Sequence, residues 1–277
     1  VDLVQRQQSV GVDIANDGEY GHAIAAAVDY GAWWSYSFAR LGGLELDNDA
    51  KRAVEPKESS PGNVQLTGFI RRRDRTIFAE AYNDPASGIF TGGPKVTGPL
   101  VYTAHEAVAS DIANLKAGLE ASGLKEGFVA ALSPGSASRI TNGYYATEEE
   151  YIYACADALR EEYKAIIDAG LILQIDDPSI AENWDQISPE PSVKNYLKFT
   201  QIRVEALNYA LRGFPEEAGP VPSLLGLLAR PGHYRPPPCG PGGHDAADQR
   251  RRLLLRGCER APRARVARLG RHQAPRG

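Results

Sequence analysis

The run Leu171-Ile172-Leu173-Gln174-Ile175-Asp176-Asp177-Pro178 constrains the fold of this chain more than any other stretch. A short Leu- and Ile-rich segment between Gly170 and Pro178 has the length of a strand, and its apolar continuity fits a parallel strand covered on both faces. Pro178 has no amide hydrogen, so the ladder should end there. Asp176 and Asp177 then stand at a carboxyl-terminal strand end, the edge at which α/β sheets and barrels bind ligands. Capping of the next turn by both carboxylates is the competing reading.

The flanks of this strand read as helices. Thr147 and Glu150 form a capping-box pair, Ile152, Cys155, Leu159, Tyr163 and Ile166 recur on one face, and Gly170 supplies the stop. Cys155 on that apolar face reads as packing, because an apolar setting disfavours thiolate. A second helix should begin near Ser192, with Val193, Leu197, Thr200, Val204, Leu207 and Leu211 on one face.

Earlier in the chain the same unit repeats. Residues 3–10 read as the end of a helix, and 11–19 as turn, strand and an acidic exit, Asn16-Asp17-Gly18-Glu19. A carboxylate at such an exit can hold an ammonium group or a metal, and a solvated loop acid is the bland alternative. Residues 20–62 are expected to be a loop-rich insertion with Trp33 and Trp34 as packing or lid residues. Residues 65–78 alternate around Arg71, Arg72, Arg73 and Arg75, which predicts a strand pair whose tip is solvated or holds a polyanionic tail. Residues 95–100 predict a strand with a Gly98-Pro99 exit, followed by a helix bearing Val108, Ile112, Leu115 and Leu119. Residues 128–132 predict another strand, ending at Ser133-Pro134-Gly135-Ser136. Strand and helix alternate, so the class is α/β. No Gly-rich phosphate loop follows any strand, which favours a partial TIM (β/α)8-type barrel over an open sheet.

Composition sets the limits. A chain of 277 residues that is 43% hydrophobic can bury one large core, and barrels of about 250 residues form single domains. No apolar run reaches the roughly 18 residues that a membrane helix needs, and the first residues do not resemble a secretion signal, so a cytoplasmic protein without a membrane partner is expected. Cys155, Cys239 and Cys258 show no disulfide framework. From Ala218 the composition changes: Lys disappears while Arg, Pro, Gly, Ala and Leu dominate. Two segments are therefore expected, 1–217 as the barrel portion and 218–277 as a disordered or poorly packed Arg/Pro-rich tail. In the tail, His233, Cys239, His244 and Cys258 match no common zinc spacing, and nucleic-acid binding through arginine is not expected as a selected function.

Asn16-Asp17-Gly18-Glu19, Thr97-Gly98-Pro99 and Gln174-Ile175-Asp176-Asp177-Pro178, in that order and each placed at a strand exit, resemble the cobalamin-independent methionine synthase family over residues 1–217. That resemblance implies a barrel, a zinc cofactor, and transfer of a methyl group from 5-methyltetrahydrofolate polyglutamate to a thiol such as homocysteine. Relatives use other thiols, including coenzyme M. It implies that Glu19 holds the amino group of homocysteine and that Asp176 assists, as two carboxylates can clamp one ammonium. The chain departs from the pattern in three places. Where the family has a pterin-stacking Trp, an ungapped count reaches His105. An amino-terminal strand with a His-x-Gly-Ser motif should precede Leu3, and zinc ligands, a His-x-Cys and then a Glu, should follow Glu217, yet residues 218–228 contain neither His nor Cys.

A change of reading frame near Glu217 accounts for the tail. Codons exist for residues 218–230 that, displaced by one nucleotide, read Arg-Val-Arg-Tyr-His-Leu-Cys-Trp-Gly-Ser-Trp-His and restore the His-x-Cys. On this account the chain is a truncated, frameshifted product that does not hold zinc or transfer methyl groups.

Overall fold

The computed structural model describes residues 1–19, 36–37, 39–47, 59–66, 73, 77–82, 93–214 and 221–222. Helix α1 (Asp2–Ser9) leads into β1 (Ile14–Asn16). Three further strands, β4 (Glu126–Leu132), β6 (Ile172–Asp176) and β7 (Val221–Pro222), join β1 in a parallel sheet ordered β1-β4-β6-β7. Order in the sheet follows order in the chain. Helix α3 (His105–Ser122) precedes β4, α5 (Glu148–Asp168) precedes β6 and α7 (Val193–Leu211) precedes β7. All four strands therefore finish at one edge. The α/β class expected from the sequence holds.

The helices form for the anticipated reasons. Both halves of the Thr147/Glu150 capping box are made, Ile152, Cys155, Leu159, Tyr163 and Ile166 are all buried, and Gly170 leaves α5 in the left-handed region at φ 75°. Burying Ile152, Leu159 and Ile166 stabilises the packed state by roughly 1.5–3 kcal/mol each. Burial holds the Cys155 thiol far above its usual range, in keeping with a packing role. Ser192 caps α7 by accepting from the Asn195 N–H. At the α1–α3 contact a side chain on Gly118 would meet Val4 Cγ2 at 2.7 Å, so only glycine lets the helices approach this closely.

In several places the structure departs from expectation. Strand β6 is fully buried at Leu173 and Ile175 and only half-buried at Ile172, Gln174 and Asp176, so helices cover one face rather than both. The insertion contains a regular strand, β2 (Leu41–Asp47), antiparallel to β3 (Gly93–Tyr102), and β3 also pairs in parallel with β5 (Thr141–Asn142). Glycines hid the alternation of β2. Thr97-Gly98-Pro99 lies inside β3, not at its exit, but the ladder skips there: Gly42 pairs Val101 and Leu44 pairs Val96. Gly43 sits in that bulge at φ 85°, where a Cβ would fall 2.4 Å from the Pro99 carbonyl oxygen. Gln65 and Leu66 are not in a strand, residues 67–72 and 74–76 of the expected strand pair lie outside the described residues, and α2 (Ala79–Tyr82) is a short helix beyond it. Arg73 is engaged by Asp185, Glu190 and the Trp184 carbonyl, which take up its charge within the chain, although its Nε has no hydrogen-bond partner. Trp33, Trp34, Arg71, Arg72 and Arg75 lie outside the described residues, as does the tail apart from Val221–Pro222. Those two residues extend the parallel sheet against Gln174 and Ile175, since a ladder needs backbone rather than particular side chains. Among the described residues no helix is long and apolar enough to cross a membrane.

One buried charge cluster ties β2 to the helices. The Arg40 guanidinium lies 2.5 Å from Asp111 Oδ2 on α3, 3.6 Å from Glu162 Oε2 on α5, and 4.1 Å above the Tyr36 ring. Asp111 takes up the arginine charge, while burial pushes the Glu162 carboxyl up to about 8. Above the ordinary value of 4.5 the unfolded chain releases this proton while the folded chain keeps it, so stability should fall as pH rises towards 8. Glu162→Gln removes the titration. Urea unfolding should give equal stabilities for variant and wild type near pH 4.5 and a gap of a few kcal/mol favouring the variant by pH 8. A flat difference across that range would show that Arg40 keeps Glu162 ionised.

Candidate functional site

Asp17, Glu19, Ser133, Asp176 and Asp177 gather at the carboxyl edge of the parallel sheet because β1, β4 and β6 run the same way. The β1 exit is a built turn. Gln7 of α1 donates to the Asn16 carbonyl at 2.9 Å and accepts from the Asn16 N–H at 3.1 Å. The Asn16 side chain then accepts from the Gly18 N–H at 3.1 Å, and Asp17 Oδ1 accepts from the Glu19 N–H at 2.9 Å. Gly18 and Glu19 are both left-handed, at φ 74° and 57°. For a glutamate that conformation costs about 1–2 kcal/mol, and strain of this kind concentrates at functional positions.

Glu19 follows β1 and Asp176 ends β6, on the same edge of the sheet. The Glu19 carboxyl is raised above its ordinary value first by burial, then by the negative charge of Asp176, then by that of Asp17. Asp17 is raised by burial and by Asp111, against the pull of its bond from the Glu19 N–H and of the Arg40 charge. Gln174 Nε2 donates to Asp176 Oδ1 at 3.0 Å and orients that carboxylate. Like charges held together this way favour a cationic ligand. An ammonium group fits such a pair. Among the described residues no group of three or more His, Cys, Asp or Glu side chains is arranged to hold a metal ion. On the far side of Asp17 a cavity of about 410 Å³ opens between α1 and α3, lined also by Val4, Asp111 and Asn114.

Asp176 and Asp177, paired in the sequence reading, separate in the structure. Asp177 is 1% exposed, while Asp176 is only half-buried. Asp177 Oδ1 accepts from Ser136 Oγ at 3.2 Å and from Ser179 Oγ, and its Oδ2 is buried without a hydrogen-bond partner. Neither carboxylate caps the next turn: the short helix that follows has no side-chain cap hydrogen bond, and Asp177 is held by serine hydroxyls instead. The serines were the missed residues; Ser133-Pro134-Gly135-Ser136 was visible as a strand exit, but nothing local said that it faces Asp177. His105 opens α3 in an exposed position, its Nε2 3.4 Å from Glu161 Oε2 and its ring edge-on to Tyr102 at 5.2 Å.

Comparisons with known proteins follow this geometry. No family model matches the chain. It is similar to the Bacillus subtilis (strain 168) protein YxjH, described as an uncharacterized protein, with 29% identity over 181 residues, 64% of this chain and 37% of YxjH. Among solved structures it aligns with a B12-independent methionine synthase from Shewanella sp. W3-18-1 in complex with selenomethionine, at a TM-score of 0.45 and 18% identity, over 76% of this chain and 46% of that one. The chain thus spans under half the length of both proteins.

The strained turn makes a direct prediction. Glu19→Gly relieves the left-handed penalty and should stabilise the chain by roughly 0.5–1 kcal/mol in urea unfolding. A loss of stability would mean that contacts of the Glu19 side chain outweigh the strain of its backbone.

Proposed function

We propose that residues 1–217 are part of a (β/α)8 barrel of the cobalamin-independent methionine synthase kind, and that its sheet edge binds an amino-acid thiol. The observation that carries this reading is the parallel sheet, which brings the β1 exit bearing Glu19 and the β6 end bearing Asp176 to one edge, where the Asp176 charge acts on Glu19. The sequence motifs around them support it, as does a parallel strand order that follows the chain, which is how such barrels are wound. Glu19 and Asp176 share the substrate ammonium, and Gln174 holds Asp176 towards it. Homocysteine carries that ammonium group. Coenzyme M lacks one, so a carboxylate pair favours the amino-acid acceptor. The methyl donor in this reading is methylated folate.

Zinc would supply a thiolate by binding the acceptor sulfur. The residues of this chain do not fit it: the segment after Glu217 has no His or Cys through residue 228, and oxygen ligands alone suit a harder cation. In this reading the chain keeps the amino-acid clamp of a methyltransferase without its transfer chemistry, as a frame change near Glu217 would leave it.

NMR titration tests the clamp. Wild-type protein should bind L-homocysteine more tightly than γ-mercaptobutyrate, which lacks only the amino group. Glu19→Gln should weaken homocysteine by roughly 1.5–3 kcal/mol, the range for a charged hydrogen bond, and leave γ-mercaptobutyrate unchanged. Equal binding of both ligands to the wild type would sink the reading.

A further inference from the structure

The serine-lined burial of Asp177 has a consequence for its neighbour. Successive side chains of an extended strand point to opposite faces. With Asp177 drawn inward, the side chain of Asp176 is directed outward to the half-buried face, where Gln174 Nε2 meets it at 3.0 Å and its charge reaches Glu19. The inward pull comes from two elements. Ser136 belongs to α4 (Pro134–Ala137), which follows β4, and Ser179 opens α6 (Ser179–Glu182), which follows β6. Ser133, between β4 and α4, caps α4 by accepting from the Ser136 N–H at 3.0 Å, and its own N–H donates to the Asp176 carbonyl at 3.1 Å. Space around the cluster is closed. A Cβ on Gly135 would lie 2.8 Å from Ser179 Oγ and 3.2 Å from Cβ of Arg203, which is 1% exposed.

We infer that Asp177 is a positioning residue: by binding serine hydroxyls from the β4 and β6 exits it sets the direction of Asp176 towards Glu19. Asp177 touches no substrate. It acts on the clamp through the alternation of the strand and through the Ser133 bond to the Asp176 backbone. The inference rests on the proposed amino-acid site, since a direction matters only if Asp176 shares a ligand with Glu19.

The experiment uses the whole chain and reads a ratio, the affinity for L-homocysteine over that for γ-mercaptobutyrate, by NMR titration. Asp177→Asn keeps the shape of the side chain and removes the charge that gathers the hydroxyls. The ratio should fall about tenfold, with γ-mercaptobutyrate affinity held within about twofold. Loss of affinity for both ligands alike would mark a general loosening and overturn the inference. If Asp177→Asn does not fold, Ser136→Ala and Ser179→Ala each remove one hydroxyl, and both should lower the ratio in folded protein. An unchanged ratio in these folded variants would also overturn it. A wild-type ratio near one is a different failure: it removes the Glu19–Asp176 clamp itself, before any variant is made.

Discussion

Parallel pairing of β4 with both β1 and β6 is the constraint on which the remaining features depend. The register sets Asn16 against Phe128, Phe128 against Ile172, and Leu132 against Asp176. Because side chains alternate, a slip of one residue in β6 would send Asp176 into the helical layer and Leu173 and Ile175 out of it. The hydrophobic cost of that slip falls on Leu173 and Ile175, which are 0% and 5% exposed. Apolar packing on one face of the strand thereby decides which face carries Asp176. Tyr163 reinforces the register by donating from its hydroxyl to the Leu132 carbonyl, at the last residue before the edge.

Charge is treated in two ways in this molecule. Around Arg40 and around Arg203 it is buried with partners: Asp111 for the first and Glu148 for the second, at 2.5 and 2.7 Å. The Arg203 guanidinium also stacks 3.5 Å from the Phe199 ring and donates to the Phe199 carbonyl at 2.8 Å, fastening α7 to itself and to α5. Such pairs give specificity of packing more dependably than they give net stability. At the carboxyl edge the negative charges of Asp176 and Asp17 instead act on Glu19, adding to burial in raising its carboxyl. The contrast separates the charge pairs that hold the helices together from the carboxylates gathered at the edge.

Much of this was legible in the sequence because the signals were local. The capping box at Thr147, the stop at Gly170, the buried face of α5 and the strand at β6 each depend on residues a few positions apart. Glu19 and Asp176 could be named from their places after strands, and a parallel sheet brings strand exits to one edge. Less legible were features set by distant partners. Residues 41–47 gave no strand signal, because Gly42 and Gly43 interrupt the alternation and only the pairing with β3 reveals it. Thr97-Gly98-Pro99 read as an exit because a proline breaks a ladder, and the ladder is indeed interrupted, but the chain continues past the bulge. The opposite fates of Asp176 and Asp177 turned on serines some forty residues away, with a separation of 41 for Ser136.

The left-handed backbone at Glu19 also bears on how such a chain ages. Positions of this kind admit glycine, asparagine and aspartate at little cost, and glutamate only under strain. A lineage in which the sheet edge no longer bound anything would gain stability by replacing Glu19, so drift should erase it sooner than the packed residues beneath. Glutamate at position 19 is therefore informative: a relative whose edge is under no selection is expected to carry glycine, asparagine or aspartate there instead.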